Sequence, residues 1–120
     1  MKVELEKVEP REIETRSFEI ITQEMGDKKL IPGTELIVKR CIHTSADFDY
    51  ADNLCFSANA VEKALNAIRE GACIVTDTQM AKAGINKKVL ARYGGEVYCF
   101  MSDEDVAEQA KARGTTRAVA

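Results

Sequence analysis

The residues of this chain best suited to acid–base chemistry lie around its only histidine. His43 follows Arg40, Cys41 and Ile42 at the end of an apolar run, and an acidic segment with two aromatic residues comes after it. Histidine is the side chain whose ordinary pKa allows it to gain or lose a proton near neutral pH. His43 is therefore the candidate general acid or base of this chain.

A hydroxyl group provides the second candidate. Residues 9–25 are predicted to form a helix, because Pro10 suits a first turn and Gly26 suits a C-terminal end. Ser17 lies in line with the apolar residues of this helix. A serine inside a helix often hydrogen bonds to its own preceding turn, and the alternative is a hydroxyl that faces a ligand. The spacing leaves both interpretations open.

His43 is positioned by a second predicted helix, for which Thr34 is the expected N-cap. His43 falls in the last turn of this helix, where the negative end of the helix dipole favours the imidazolium form. A site that needs a proton donor would benefit from that position. A histidine that only caps the helix would have the same sequence signature.

The second half of the chain alternates helices with short buried strands. Ser57 is the expected cap of one helix, and residues 73–76 and 97–101 are predicted strands. Asp77 follows the first strand, at the edge where ligands bind in open α/β sheets, so it is a candidate binding residue. The alternation predicts an α/β fold with a parallel sheet. Two strands make a thin sheet, so we expect further strands from beyond residue 120 or from another chain.

Composition limits the classes of function. A chain of 120 residues predicts one domain, residues 1–120. The net charge of −3, without a long basic stripe, argues against a nucleic-acid partner. No apolar run has the length of a membrane span, so we expect no membrane partner. Residues 1–7 alternate in charge and lack the apolar core of a signal peptide, which predicts a cytoplasmic protein.

Cysteine and aspartate residues give weak metal signals. Cys41 and His43 could share a metal ion, but no second pair of ligands completes a tetrahedral site, so we expect no metal. Cys73 and Cys99 lie in strand-like runs and are expected to be buried thiols. Residues 47–53 lack the glycine and glutamate of a calcium-binding loop and are expected to form a solvated loop with two aromatic side chains packed inward.

Five sequence blocks, in order, resemble the precorrin-8X methylmutase (precorrin isomerase) family of cobalamin biosynthesis. They are R-S-F-E-I-I at 16–21, R-C-I-H-T at 40–44, L-C-F-S at 54–57, T-D-T-Q-M-A-K-A-G-I at 76–85 and G-T-T-R at 114–117. The resemblance implies a three-layer α/β/α flavodoxin-like parallel sheet. Family members are longer, so the sheet is expected to be incomplete in this chain.

The resemblance also implies an activity. Such enzymes are isomerases that shift a methyl group between adjacent carbons of the precorrin-8X or cobalt-precorrin-8 macrocycle, giving hydrogenobyrinic acid or its cobalt counterpart. They use no cofactor and form homodimers. Carried over to this sequence, His43 is the proton donor and acceptor, and Ser17 contacts the substrate.

The implied substrate is a polycarboxylate corrinoid, which needs local cations on a protein of net negative charge. Arg117, beside Thr115 and Thr116 at a predicted helix start, is the best candidate for binding a carboxylate. The remaining lysines and arginines are expected to be solvated surface charges. Three alternatives stay open, namely a corrinoid-binding domain without turnover, a truncated inactive fragment, and an α/β interaction module in which His43 only caps a helix.

Overall fold

The computed structural model describes residues 7–120, in which seven α-helices and two short β-strands follow a 3₁₀ turn at Pro10–Glu12. The described chain divides after Val61 into two compact units, called here the N-terminal unit and the C-terminal unit. The cytoplasmic prediction rests on residues 1–7, of which residues 1–6 lie outside the described part of the chain. The elements in chain order are α1 (Ile13–Met25), α2 (Glu35–Ser45), α3 (Tyr50–Asn53), α4 (Ala60–Arg69), β1 (Ile74–Val75), α5 (Gln79–Gly84), α6 (Lys87–Ala91), β2 (Val97–Tyr98) and α7 (Glu104–Arg113).

The core of the N-terminal unit lies between α1 and α2. Ile21 of α1 meets Val38 and Ile42 of α2, and these three side chains are at most 5% exposed. Val38 and Ile42 are four residues apart, so they lie on one face of α2. Partly buried apolar side chains surround this core: Phe18, Met25, Leu30, Phe48, Ala51, Leu54 and Phe56.

The ends of these two helices follow most of the sequence expectations. The chain turns out of α1 at Gly26, whose φ of +57° suits glycine. The helix α2 ends at Ser45, so His43 lies in its last turn as predicted. The predicted N-cap position of Thr34 is confirmed, since its carbonyl accepts from the N–H of Val38. Its buried hydroxyl makes no cap bond to α2 and donates instead to the carbonyl of Ile31 at 2.6 Å.

The acidic segment after α2 is only partly a loop. Residues 50–53 form the single-turn helix α3, which the sequence interpretation missed. The expectation of two inward-packed aromatic side chains holds for Phe48, which contacts the core, but is wrong for Tyr50, which is exposed.

The C-terminal unit is built on two parallel strands. Ile74 of β1 is paired with Val97 of β2, and Val75 is paired with Tyr98. This pairing confirms the predicted α/β class with a parallel sheet, although each strand is shorter than expected. Two helices, α5 and α6, connect the strands, as a parallel pair requires.

The two faces of this sheet differ in exposure. Cys99 is buried as predicted, but Cys73 is exposed, so that prediction is wrong. Val75 is 64% exposed, and the ring of its pairing partner, Tyr98, stacks on Phe100 with 6.0 Å between the ring centroids. These three apolar side chains are therefore only partly buried.

Two further expectations concern helices. The helix expected to be capped by Ser57 begins three residues later, at Ala60. The segment expected to begin a helix near Thr115 forms a turn over residues 117–119 instead, in which the N–H groups of Val119 and Ala120 donate to the carbonyl of Thr116.

Within residues 7–120, no helix combines the length and hydrophobicity needed to cross a membrane.

Candidate active site

The hydroxyl of Ser17 and the imidazole of His43 form a hydrogen bond between α1 and α2. The Ser17 Oγ and His43 Nδ1 atoms are 2.7 Å apart, and both side chains are half-buried. The interpretation of Ser17 as a serine bonded to its own helix turn is therefore wrong. Thr22 on the same helix makes that kind of bond, since its hydroxyl donates to the carbonyl of Phe18 at 2.7 Å.

This hydrogen bond can persist in both protonation states of the ring. When the imidazole is neutral with its proton on Nε2, the Ser17 hydroxyl donates to Nδ1. When the ring is an imidazolium, Nδ1–H donates and the serine oxygen accepts. In either state Nδ1 is the engaged nitrogen, and Nε2 is the ring nitrogen outside this bond.

The pair lies in the wall of a cavity of about 580 Å³ within the N-terminal unit. The lining is mostly aliphatic and aromatic, with Arg16 and Glu24 as its charged members. Pockets of this size and character are typical of small-molecule sites, in which a few polar groups orient an apolar ligand. The residues that line it, besides Ser17 and His43, are Val8, Ile13, Arg16, Ile20, Ile21, Glu24, Ile42, Ala46 and Phe48.

An aromatic ring and an ion pair flank the imidazole. Phe18 contacts His43 edge to face, with ring centroids 5.8 Å apart and planes at 64°. The guanidinium carbon of Arg40 lies 5.1 Å from the centroid of the Phe18 ring, which is a cation–π distance. Arg40 Nη2 in turn donates to Glu14 Oε1 at 2.6 Å.

The ion pair changes the protonation behaviour of both partners. The hydrogen bond from Arg40 holds the pKa of the Glu14 carboxyl below its usual value, and the charges of Arg40 and His43 act in the same direction. The same bond raises the pKa of Arg40. Since both side chains are exposed, solvent screens this pair and weakens its contribution to stability.

The other two predicted site residues lie together in the C-terminal unit. Asp77 and Arg117 line a cavity of about 460 Å³ at the carboxyl ends of β1 and β2. Arg117 Nη1 donates to the carbonyl oxygen of Met101 at 3.0 Å, and both Asp77 and Arg117 are exposed. The predicted position of Asp77 at a strand end is confirmed. The helix start expected beside Arg117 is a turn, so that expectation is wrong.

Four residues around the histidine were not singled out from sequence. In the sequence, Arg16 and Phe18 belong to a motif without a role of their own, Glu14 carries no signal, and Arg40 is predicted to be a surface charge. The available signal was spacing: Arg40 and His43 are three residues apart on α2, so they share a face. No group of three or more His, Cys, Asp or Glu side chains suited to a metal ion occurs within the described part of the chain.

Comparison with known proteins gives a consistent family. The precorrin-8X methylmutase family model matches residues 12–120. The cobalt-precorrin-8 methylmutase of Priestia megaterium is 42% identical over 112 residues, covering 93% of this chain and 50% of the relative. That of Salmonella typhimurium is 44% identical over 117 residues, covering 93% and 56%. The crystal structure of precorrin-8X methylmutase from Thermus thermophilus matches with a TM-score of 0.78 at 38% identity, covering 91% of this chain and 54% of that one. The chain thus spans about half the length of the relatives it matches.

Proposed function

This chain belongs to the precorrin-8X methylmutase family, and we propose that it catalyses, or supplies the histidine-bearing part of, a methyl shift on a corrinoid macrocycle. The substrate is precorrin-8X or cobalt-precorrin-8, and the reaction is an isomerisation. The observation that carries the proposal is the 2.7 Å hydrogen bond between Ser17 and His43 in the wall of a mainly apolar cavity.

In the proposed reaction, His43 is the acid and then the base. The imidazolium donates a proton to the conjugated macrocycle, which makes the π-system electron-poor. One carbon–carbon bond breaks as the methyl group forms a bond to the adjacent carbon, and the proton then returns to the imidazole. Substrate and product have the same atoms. A positioned general acid contributes about 10²–10⁴-fold to such a rate.

The other residues of the N-terminal unit bind and orient the ligand in this proposal. The aliphatic wall of the cavity takes an edge of the flat ring, and Arg16 is the cation in that wall that would meet a carboxylate of the ligand. Ser17 keeps Nδ1 engaged, so that Nε2 is the nitrogen presented to the macrocycle. Holding a rigid substrate against a fixed acid removes orientational entropy from the reaction step.

In the C-terminal unit, Arg117 and Asp77 are the proposed binding residues for the polar periphery of the macrocycle. Arg117 already has one donor engaged with the Met101 carbonyl, which holds its guanidinium at the rim of the cavity. A fork-shaped guanidinium can bind a carboxylate with its remaining donors. Asp77 would accept hydrogen bonds from amide or hydroxyl groups.

Assembly and location complete the proposal. We infer a homodimer from the resemblance described above, a cytoplasmic location from the charge pattern of residues 1–7, and no nucleic-acid or membrane partner from the net charge and the apolar runs. Light scattering of the purified chain at micromolar concentration tests the dimer, and fractionation of the producing cells tests the location.

The function is tested with the 120-residue chain and its His43→Ala variant. Two quantities are measured: binding of the corrinoid product by absorbance titration, and conversion of cobalt-precorrin-8 by its spectral change. We expect both proteins to bind and only the parent chain to convert, with a loss of about 10²–10⁴-fold in the variant. Binding without conversion by either protein would favour a corrinoid-binding domain or an inactive fragment. No binding by either would favour an interaction module, and both results would refute catalysis by this chain.

A further inference from the structure

A single hydrogen bond does not fix an imidazole. The Ser17 bond places only Nδ1, and a ring without a second contact can turn about that atom until the hydrogen bond loses its alignment and breaks, so that Nε2 sweeps over the cavity wall. A general acid must hold its proton within hydrogen-bond reach of the accepting atom, so the plane of the ring matters as much as its position. A second contact has to set that plane.

The structure contains such a contact, and a chain of further contacts behind it. Phe18 meets the His43 ring at 64°, which is the edge-to-face arrangement that aromatic pairs favour. Arg40 lies over the Phe18 ring, and Glu14 fixes Arg40 by the 2.6 Å bond. Glu14 thus holds Arg40, Arg40 contacts Phe18, and Phe18 contacts the imidazole.

The arrangement follows from helical periodicity on both helices. On α1, Glu14 and Phe18 are four residues apart, so the carboxylate reaches the same surface that the ring covers. On α2, Arg40 and His43 are three residues apart, so the guanidinium and the imidazole both project toward α1. Phe18 of α1 contacts two side chains of α2, the imidazole of His43 and the guanidinium of Arg40.

We infer that Phe18 and Arg40 are positioning residues for His43: Arg40, anchored by Glu14, holds the Phe18 ring, and Phe18 sets the plane of the imidazole that Ser17 binds. Only the consequence for turnover rests on the proposed function. The effect on the ring itself does not depend on it.

Charge effects must be separated from positioning. The charged groups around the imidazole are Glu14 and Arg16 on α1, Arg40 on α2, and Glu24 in the cavity wall. Replacing Arg40 alone would leave Glu14 unbalanced and change the field at the ring. The double variant Glu14→Gln/Arg40→Gln removes one charge of each sign, so it tests the loss of the contacts at constant net charge.

The only histidine of the chain makes the measurement direct, since nitrogen-15 NMR of the imidazole needs no assignment. In the parent chain we expect the two ring nitrogens at neutral to basic pH to show the separated shifts of one tautomer. Phe18→Leu and the charge-balanced double variant should raise the fraction of rings outside the hydrogen-bonded geometry about 3- to 10-fold, drawing the two shifts together. Phe18→Tyr keeps an aromatic ring at this position, so its nitrogen shifts should equal those of the parent chain.

The matched control is Phe56→Leu, because Phe56 is half-buried and packs on the same core as Phe18. Parent-like nitrogen shifts in both Phe18→Leu and the double variant, or equal changes in Phe56→Leu, would overturn the inference. If Phe18→Leu does not fold, the double variant decides alone, because both of its positions are exposed. In the conversion assay, kcat should fall about 3- to 10-fold at unchanged KM. If this chain shows no turnover, the proposal that it catalyses the reaction is refuted. The NMR result then decides the positioning role by itself.

Discussion

Ser17→Ala removes one hydroxyl and leaves the helix backbone and the imidazole group chemically intact. The lost bond is a 2.7 Å contact between half-buried groups, and a hydrogen bond of this kind contributes about 0.5–1.5 kcal/mol net. If that energy holds the ring in its reactive orientation, kcat should fall about 2- to 13-fold. The loss is thus well below that expected for His43→Ala, because the variant keeps its proton donor.

The assay is single-turnover conversion of cobalt-precorrin-8 at saturating protein, followed by absorbance. Ser45→Ala is the matched control, since Ser45 also donates a 2.7 Å hydrogen bond on α2, but to the carbonyl of Cys41 on its own helix. We expect parent-like turnover in Ser45→Ala. A Ser17→Ala rate equal to that of the parent, or as low as that of His43→Ala, would refute the orienting role of the hydroxyl.

Three further outcomes follow from the packing and the charges. Ile42→Ala, which opens a cavity in the core between α1 and α2, should cost about 2–5 kcal/mol in urea unfolding, and a loss below 1 kcal/mol would contradict the packing described. Arg40 lowers the pKa of Glu14 below 4.5, so this carboxylate stabilises the fold above that pH and the gain is lost as the pH falls through the lowered value. Glu14→Gln should therefore flatten the dependence of the urea midpoint on pH between about 3 and 6, and an unchanged slope would count against the ion pair. Arg117→Gln should raise the Kd for the corrinoid product about 3- to 10-fold, with the exposed Arg113→Gln as the control that should not.

Local sequence signals predicted much of the N-terminal unit. Pro10 and Gly26 bracket the first helical segment, and the apolar spacing of Val38 and Ile42 placed His43 in the last turn of the second. These signals act over a few residues, so one sequence carries them. Thr34 shows their limit, because a residue type suited to capping used its hydroxyl on the preceding turn instead.

The contacts that build the site were beyond local reasoning. Ser17 and His43 are 26 residues apart, and their hydrogen bond depends on how two helices pack rather than on either helix alone. The same holds for the bond between Glu14 and Arg40, since Arg40 taken alone is expected to be a solvated surface charge. In the C-terminal unit, Cys73 and Cys99 had the same apolar context, yet only Cys99 is buried, because burial depends on which sheet face is covered.

Chemical rescue of His43→Ala by imidazole in solution tests the proton-transfer role of this ring most directly. The variant should bind the corrinoid and convert it at a rate reduced by about 10²–10⁴-fold. Added imidazole should restore part of that rate in proportion to its concentration, without changing the rate of the parent chain. Turnover by His43→Ala at the parent rate would show that His43 does not transfer the proton, and would contradict the proposed mechanism.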